Sequence, residues 1–234
     1  MVRTILVTGS NQGLGRHAVH QLAQTPDIIV FMGSRKLAAA EEELAKFASD
    51  VHASSTVVPV QLDVTDAASI KAAHAFIADY LKQKGISSLD VLVNNAGVAR
   101  GSFEEIYAVN VFGVAALTET IRPLLSNDGS ILNISSTLAS LAWHTTRPPP
   151  PIYPAYSSSK SALSSLTLQW AIQEEQKGSE IRVVSICPGF NATNLNNYTG
   201  TMDPADGAKI IVTTALEKGG KSGIFFNKDG EVKW

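Results

Sequence analysis

The chain has 234 residues with a formal net charge of −2 at pH 7, and 44% of its residues are hydrophobic while 17% are charged. That length and apolar content predict a single domain over residues 1–234 with a substantial buried core. The nearly balanced charge provides no basic field for a polyphosphate backbone, so we expect a small-molecule partner and no nucleic acid.

Cysteine usage and the start of the sequence indicate a compartment. Cys187 is the single cysteine of the sequence, which excludes an internal disulfide framework. The first residues enter an apolar strand without the long apolar core of a signal peptide. No apolar run reaches the roughly 18 to 20 residues that span a bilayer. We therefore expect a cytoplasmic protein without a membrane role.

Short β-branched apolar runs alternate along the chain with stretches rich in Ala, Leu and Glu. Such runs are typical of buried parallel strands. Repeated strand-then-helix units predict a Rossmann-type, doubly wound α/β fold with a mainly parallel seven-stranded sheet and helices on both faces. The predicted strands cover residues 4–8, 28–32, 56–62, 90–94, 130–135, 181–186 and 223–226. The clearest predicted helices cover residues 37–49, 67–84 and 157–176.

A glycine-rich turn follows the first predicted strand and precedes a helical segment that starts near Arg16. In such a unit Gly9 permits the tight turn, while Gly13 and Gly15 let backbone amides and the helix approach a pyrophosphate. The helix N-terminus then stabilises the negative charge. A purely structural turn is the alternative. The predicted dinucleotide-binding residues are Gly9, Ser10, Asn11, Gly13, Leu14 and Gly15.

The end of the second predicted strand indicates which dinucleotide binds. A site that prefers NAD has an Asp or Glu here for the ribose 2′-hydroxyl, whereas an Arg suits a 2′-phosphate. Ser34 and Arg35 occupy this place and predict NADP(H). The alternative is that Arg35 and Lys36 are solvated charges at the start of the next helix.

The third predicted strand ends at Asp63 and Val64, which we assign to the adenine end of the cofactor. The carboxylate of Asp63 is placed to accept a hydrogen bond from the adenine amine. An N-cap role for Thr65 or Asp66 in the following helix is an equally good interpretation of this acidic segment.

Tyr156 and Lys160 stand at the start of the helix predicted over residues 157–176. Their spacing of four residues places the phenol and the ammonium on one helix face. A nearby ammonium favours phenolate, so we expect the pKa of Tyr156 to be lowered toward neutrality. Tyr156 would then donate a proton to a carbonyl oxygen or remove one from an alcohol.

With these residues in place, the chain resembles the short-chain dehydrogenases/reductases along essentially its whole length. The ending GIFFNKDGEVKW resembles the terminal strand and turn of their carbonyl-reductase-like group. Further segments match the family in order: Asn94-Asn95-Ala96-Gly97, Asn110-Val111-Phe112-Gly113, Ser135-Ser136 and Cys187-Pro188-Gly189-Phe190-Asn191-Ala192-Thr193.

The resemblance implies roles for these segments. Asn110 holds a water that leads protons toward Lys160, although a buried structural amide is the alternative. Ser136 hydrogen-bonds the substrate oxygen; a longer gap to Tyr156 than is common in the family leaves Ser135 as the alternative. Cofactor-binding residues by the same resemblance are Asn95, Ala96, Gly97, Pro188, Gly189 and Thr193, together with Tyr156 and Lys160.

The resemblance also implies the activity. The chain is expected to be an NADP(H)-dependent ketone or aldehyde reductase that passes hydride between nicotinamide and a carbonyl or alcohol carbon. The alternatives are a non-redox epimerase, dehydratase or cyclase, and a non-catalytic NADP-binding sensor. A homo-oligomer, dimer or tetramer, is expected through the helices corresponding to residues 102–125 and 157–176. The five histidines show no metal-ligand clustering, so no metal is expected.

Residues 145–154 carry the run RPPPPIYP, which predicts a stiff polyproline-like surface loop. The loop is either a spacer or a wall of the substrate pocket, and Trp143 and Tyr153 beside it are either pocket-lining or simply exposed. Only twelve residues separate Gly97 from Asn110, and a new helix is expected near residue 203. Both features predict an open, shallow pocket.

Overall fold

The computed structural model describes residues 2–146 and 148–234, and one sheet runs through it in the order β3-β2-β1-β4-β5-β6-β7-β8. All neighbouring strands are parallel except β7 and β8. The strands are β1 Arg3–Val7, β2 Ile28–Ser34, β3 Thr56–Gln61, β4 Leu89–Asn94, β5 Leu125–Ile134, β6 Arg182–Ile186, β7 Ile224–Asn227 and β8 Gly230–Glu231.

The helices pack on both faces of this sheet. Between Tyr107 and Val114 the chain forms a π-helical segment, Ala108–Gly113, and a 3₁₀ turn, Thr137–Ala139, lies shortly before Leu141. The helices are α1 Gly13–Ala23, α2 Leu37–Phe47, α3 Ala67–Gln83, α4 Phe103–Tyr107, α5 Val114–Ile121, α6 Leu141–His144, α7 Pro154–Lys177 and α8 Pro204–Leu216.

Alternation along the strands divides the core into two layers. In β1, Ile5 and Val7 face α1, α2 and α8, whereas Leu6 faces α3, α5 and α7. Successive side chains of a strand point to opposite faces, so a strand buried on both sides reads as a continuous apolar run. This explains why the seven parallel strands and the doubly wound α/β fold could be predicted.

Two boundaries differ from the sequence expectation. The prolines were expected to exclude helix through residue 154, but α7 begins at Pro154. Proline is tolerated in the first helical turn because its missing N–H would find no partner there. The sheet also has an eighth strand, since a turn at residues 228–229, followed by Gly230 at φ +121°, brings β8 antiparallel to β7. Arg147 of the proline-rich loop lies outside the described residues.

Candidate active site

The glycine-rich turn after β1 packs closely against the segment that follows β4. Gly9 has φ +59°, and a Cβ there would lie 2.9 Å from the Cα of Ala96. A Cβ on Gly15 would overlap the side-chain amide of Asn95. Only glycine fits both positions, so the backbone of this turn is open to a ligand on its other side.

Asn95 and Thr8 hold the turn in place. The Asn95 Nδ2 donates to the carbonyl oxygens of Thr8 and Gly9 at 2.8 and 3.1 Å. In return, the Thr8 hydroxyl accepts from the backbone amides of Asn95 and Ala96 at 3.0 and 2.9 Å. The sequence analysis assigned no role to Thr8; its position immediately before Gly9 was the available signal.

The first turn of α1 presents backbone amides to this cradle. Within the part of the chain that the structure describes, the side chain of Gln12 makes no capping hydrogen bond to α1. Uncapped amides and the positive end of the helix dipole together favour an anion. Thr193 lies beside this turn, because a Cβ on Gly13 would lie 3.7 Å from the Thr193 Cβ. Ser10 is buried and bonds Gly33 O through its hydroxyl at 3.1 Å.

Arg16 and Arg35 differ in whether their guanidinium groups are paired within the described residues. The side chain of Arg16 forms an ion pair with Glu43. The exposed guanidinium of Arg35, directly after β2, makes no hydrogen bond or ion pair with any residue that the structure describes. Ser34 is buried, and its hydroxyl donates to Lys36 O at 2.9 Å. Arg35 is therefore free to bind a phosphate.

Asp63 and Asp66, in the acidic segment after β3, have different roles. Asp66 caps α3, with its Oδ1 accepting from the amide of Ala68 at 2.8 Å. Asp63 Oδ1 accepts from the amide and hydroxyl of Thr65 at 2.9 and 2.7 Å, which leaves its other oxygen for a ligand. The side chain of Val64 is buried in the core beside α3 and α5, so only its backbone can face a nucleotide.

Ser136 and Tyr156 meet at the carboxyl ends of the central strands. The Ser136 hydroxyl lies close enough to the Tyr156 phenol to affect its pKa, and Ser136 Oγ accepts from the amide of Leu138 at 3.2 Å. Ser135 is buried, and its hydroxyl finds no partner among the described residues. Alternation along the extended chain after β5 therefore directs Ser136, and not Ser135, into the cleft.

Lys160 lies one helical turn beyond Tyr156 and is buried. Its Nζ donates to Ile134 O at 2.8 Å and lies 5.9 Å from the centroid of the Tyr156 ring. A Cβ on Gly97 would lie 3.6 Å from Lys160 Nζ and 3.4 Å from Asn110 Oδ1. The structure thus brings the ammonium, the Asn110 amide and the backbone after β4 together.

Asn110 lies in the π-helical segment and is fully buried. Its Oδ1 accepts from Val98 N at 2.9 Å, and its Nδ2 donates to Val98 O at 2.8 Å and to the Ser159 hydroxyl at 3.1 Å. These bonds agree with the structural alternative for this amide. A π-helical turn widens the helix locally and is frequent at functional sites; here it turns the amide toward Gly97.

Burial shifts the pKa values of Tyr156 and Lys160 in opposite directions. Tyr156 as a whole residue is half-buried, but desolvation of its phenol, with a smaller effect of Cys187, raises its pKa to about 12 against the opposing hydrogen bond with Ser136. Desolvation lowers the pKa of Lys160 to about 8. The expectation that Lys160 lowers the pKa of Tyr156 is wrong for this structure, because loss of water dominates both groups.

The turn after β6 is held by a residue that the sequence analysis quoted without a role. Asn191 Nδ2 donates to the carbonyl oxygens of Pro188 and Gly189 at 3.0 and 2.9 Å. Asn191 is buried, and Gly207 of α8 approaches it too closely for any side chain. α8 begins at Pro204 with Asp203 as its cap, as expected, so the segment after Thr193 is short.

Several large apolar side chains around this edge of the sheet are exposed to solvent. They belong to the segments that follow β5, precede α7 and follow β6, and they are Leu141, Trp143, Ile152, Tyr153, Phe190 and Tyr198. In the described residues, no three His, Cys, Asp or Glu side chains are grouped as a metal site requires. Nor does any helix of residues 2–146 and 148–234 have the length and hydropathy needed to cross a membrane.

The sequence model of the family described as short chain dehydrogenase matches residues 3–204. The chain belongs to the short-chain dehydrogenase family. Short-chain dehydrogenase anuI of Penicillium roqueforti is 33% identical over 231 residues, covering 91% of this chain and 88% of the relative. Short-chain dehydrogenase/reductase tropE of Talaromyces stipitatus is 33% identical over an aligned length of 263 residues, covering 98% and 96%.

Solved structures of the family have the same architecture. The NADPH-bound carbonyl reductase from chicken fatty liver superposes with a TM-score of 0.79 at 29% identity, covering 100% of this short-chain dehydrogenase and 99% of that chain. Salutaridine reductase from Papaver somniferum gives a TM-score of 0.80 at 26% identity, covering 96% and 99%. The predicted fold class and the carbonyl-reductase-like resemblance are confirmed.

Proposed function

We propose that the chain is an NADP(H)-dependent reductase of ketones or aldehydes, with Tyr156 as the general acid. The observation that carries this proposal is the placement of the Ser136 hydroxyl beside the Tyr156 phenol, with the buried Lys160 Nζ 5.9 Å from the centroid of the Tyr156 ring. Two converging hydroxyl donors are suited to one carbonyl oxygen, on which negative charge develops during reduction. The NADPH-bound carbonyl reductase from chicken fatty liver has the same fold and supports the choice.

The described residues fit a bound NADP(H), which supplies the hydride when it is present. Gly9 and Gly15 pack too closely on Ala96 and Asn95 to carry side chains, and Gly13 has φ +55°, so the turn presents bare backbone to a ligand. The uncapped α1 favours the pyrophosphate. Arg35 provides an unpaired guanidinium for the 2′-phosphate. On the same model, the groups assigned to the adenine and nicotinamide ends are Asp63, Val64, Asn95, Ala96, Gly97, Pro188, Gly189 and Thr193.

Tyr156 is in the protonation state that reduction requires. With a pKa of about 12 its phenol is neutral at pH 7 and donates a proton to the substrate oxygen. Ser136 donates a second hydrogen bond to that oxygen. Lys160 donates one hydrogen to Ile134 O, and its charge stabilises the phenolate that remains. Its other hydrogens are available to the nicotinamide ribose, and Asn110 orders the proton path behind it.

The surroundings of the reactive pair favour a bulky, apolar carbonyl compound as the substrate. Leu141 and Trp143 lie shortly after Ser136, Tyr153 immediately precedes α7, and Phe190 follows the turn after β6; all four are exposed. Apolar side chains around a cleft recognise apolar ligand surface, whereas the few hydroxyls orient the reacting group. The short segments on both sides of the cleft leave it open.

The experiment that tests the function measures net NADPH oxidation with a panel of aldehydes, ketones and quinones, together with product analysis. The proposal predicts one alcohol formed for each NADPH consumed. Product formation without net NADPH consumption would contradict it in favour of an epimerase, dehydratase or cyclase. Cofactor binding without turnover of any panel compound would favour a sensor.

A further inference from the structure

The chain returns to the active-site edge after β8. The Val232 amide donates to Phe225 O at 2.8 Å, and the ring of Trp234 lies 5.5 Å from that of Phe225. Trp234 also packs against a buried cluster formed by Ala139, Cys187 and Phe225. Through its carbonyl oxygen, Trp234 accepts a hydrogen bond from the amide of Ala142 at 3.1 Å. These contacts tie residues 230–234 to the chain just after Ser136.

We call residues 137–144 the wall segment, because they lead from Ser136 to the exposed Leu141 and Trp143. Two contacts hold this segment from inside the domain. The Ser161 hydroxyl of α7 donates to Ala139 O at 2.8 Å, and the amide of Thr137 donates to Cys187 Sγ at 3.3 Å. Trp234 packs against the cluster that contains Ala139 and accepts a hydrogen bond from Ala142, and so restrains the half that carries Leu141 and Trp143.

The wall segment consists of a 3₁₀ turn and a four-residue helix. Helical pieces of this length do not persist without tertiary contacts. The conformation of the segment therefore depends on what packs against it. If the Trp234 ring were removed, Ala139 and Phe225 would lose their apolar cover, and the carbonyl that holds Ala142 would be free to move.

We propose that Trp234 is a positioning residue for the reactive site: it anchors the wall segment so that Ser136 and Trp143 stay in place for the substrate. For its kinetic consequences this inference rests on the proposed reductase function. The glycine turn and Arg35 follow β1 and β2. In the strand order of the sheet, β4, β5 and β6 separate these two strands from β7 and β8. Loss of the anchor should therefore affect the carbonyl substrate much more than NADPH, of whose binding residues only those after Cys187 lie near Trp234.

The test compares Trp234→Ala with Trp234→Phe and with Lys233→Ala, which changes an exposed neighbouring residue. Hydrogen exchange of the peptide covering the wall segment is measured together with the NADPH dissociation constant and kcat/KM for a carbonyl substrate. Small displacements of positioned groups reduce rates steeply, so Trp234→Ala should lower kcat/KM about ten- to a hundredfold. The same variant should exchange faster in residues 137–144, with the NADPH dissociation constant within about twofold of the parent.

Trp234→Phe should restore most of both properties, and Lys233→Ala should match the parent. Unchanged exchange in the wall segment of Trp234→Ala would overturn the proposal, as would a loss of kcat/KM that came entirely from weaker NADPH binding. The exchange measurement stands even if no carbonyl is turned over, which separates this inference from the reductase assignment. If Trp234→Ala failed to fold, Trp234→Leu would carry the same comparison, because it keeps apolar bulk but loses the ring contact.

Discussion

At the scale of single residues, Tyr156 and Lys160 respond in opposite directions to the same surroundings. Burial disfavours the charged form of each, which raises the pKa of Tyr156 to about 12 and lowers that of Lys160 to about 8. Around pH 7 the phenol is then protonated and the lysine is still largely cationic. This is the pair of states that protonation of a carbonyl oxygen requires.

The lowered pKa of Lys160 predicts a pH dependence. The cationic form is present below about pH 8 and is lost as the pH rises through that value, whereas an ordinary lysine stays charged to about pH 10. We expect kcat/KM for carbonyl reduction to be level below pH 8 and to fall above it. A pH profile at saturating NADPH measures this limb.

Lys160→Arg is the matched variant for the profile, since a guanidinium keeps its charge over the whole range. If it retains activity, its alkaline limb should be shifted to higher pH or absent. An identical limb in both proteins would mean that another group titrates.

Arg35 predicts the choice of cofactor. An unpaired guanidinium that gains a phosphate contributes about 1.5 to 3 kcal/mol, which is roughly ten- to a hundredfold in affinity. We expect NADPH to bind more tightly than NADH by this factor and Arg35→Asp to reverse the order. Titration of both cofactors measures the ratio, with Lys36→Ala as the control that should leave the preference in place. Equal dissociation constants in the unaltered protein would contradict the assignment.

Single residues were predictable from the sequence where a spacing determines their chemistry. The interval of four residues was sufficient to place Tyr156 and Lys160 on one helix face, whereas Ser136 was assigned through the resemblance to the family, with Ser135 as the alternative. Thr8 and Trp234 were not assigned, because their hydrogen bonds join segments distant in sequence. Asn191 was not assigned, because its bonds to Pro188 and Gly189 depend on the conformation of the turn. Apart from the position of Thr8 directly before Gly9, composition and spacing carry no signal for such contacts.

At the scale of elements, a network of buried side-chain hydrogen bonds links the two central strands to the helices that cover them. Asn94 of β4 is in register with Asn133 of β5 and donates to its Oδ1 at 2.8 Å and to the Thr118 hydroxyl at 2.9 Å. Asn133 in turn donates to the Thr167 hydroxyl of α7 at 2.9 Å. This hydrogen-bond network fixes the position of α7, and with it Tyr156, relative to the sheet.

Asn133→Ala should therefore destabilise the protein. The change removes two buried hydrogen bonds and leaves their partners under-satisfied, which costs about 2 to 3 kcal/mol of unfolding free energy. Urea denaturation measures the loss. Asn127→Ala, on the exposed part of the same strand, should change it by less than about 0.5 kcal/mol. Equal effects of the two substitutions would show that the hydrogen-bond network contributes nothing to the free energy of unfolding.

The elements themselves were largely predictable, because a strand buried on both faces has a nearly unbroken apolar run. The π-helical segment Ala108–Gly113 was not, since its sequence reads as an ordinary helix and its widened turn depends on the bonds between Asn110 and Val98. The start of α7 at Pro154 was misjudged for a related reason. Whether a proline ends a helix or begins one depends on which residues follow it into the helical turn.

At the scale of the whole molecule, exposed apolar side chains indicate where copies of the chain would meet. Phe103 and Phe112 lie on the segment from α4 to α5, and Ile172 lies on α7; they are 54%, 65% and 44% exposed. They lie within residues 102–125 and 157–176, the helices through which the sequence resemblance implied pairing. We propose a homo-oligomer through this face.

Light scattering should give two or four times the chain mass of 24.9 kDa at micromolar concentration. Phe112→Glu would place a charge in the interface and should shift the protein toward the monomer. Phe76→Glu, a comparably exposed aromatic residue on α3, should leave the mass unchanged. A monomeric parent protein would contradict the proposal.

The measurement that tests the central claim most directly is turnover by Tyr156→Phe, with Tyr153→Phe as its matched control. Tyr153 is exposed and precedes α7. Because the phenol acts on the reacting oxygen, Tyr156→Phe should lower kcat by at least about a hundredfold while the NADPH dissociation constant stays within about twofold. Tyr153→Phe should remain active. An active Tyr156→Phe, or an inactive Tyr153→Phe beside it, would contradict the assignment of Tyr156 as the proton donor.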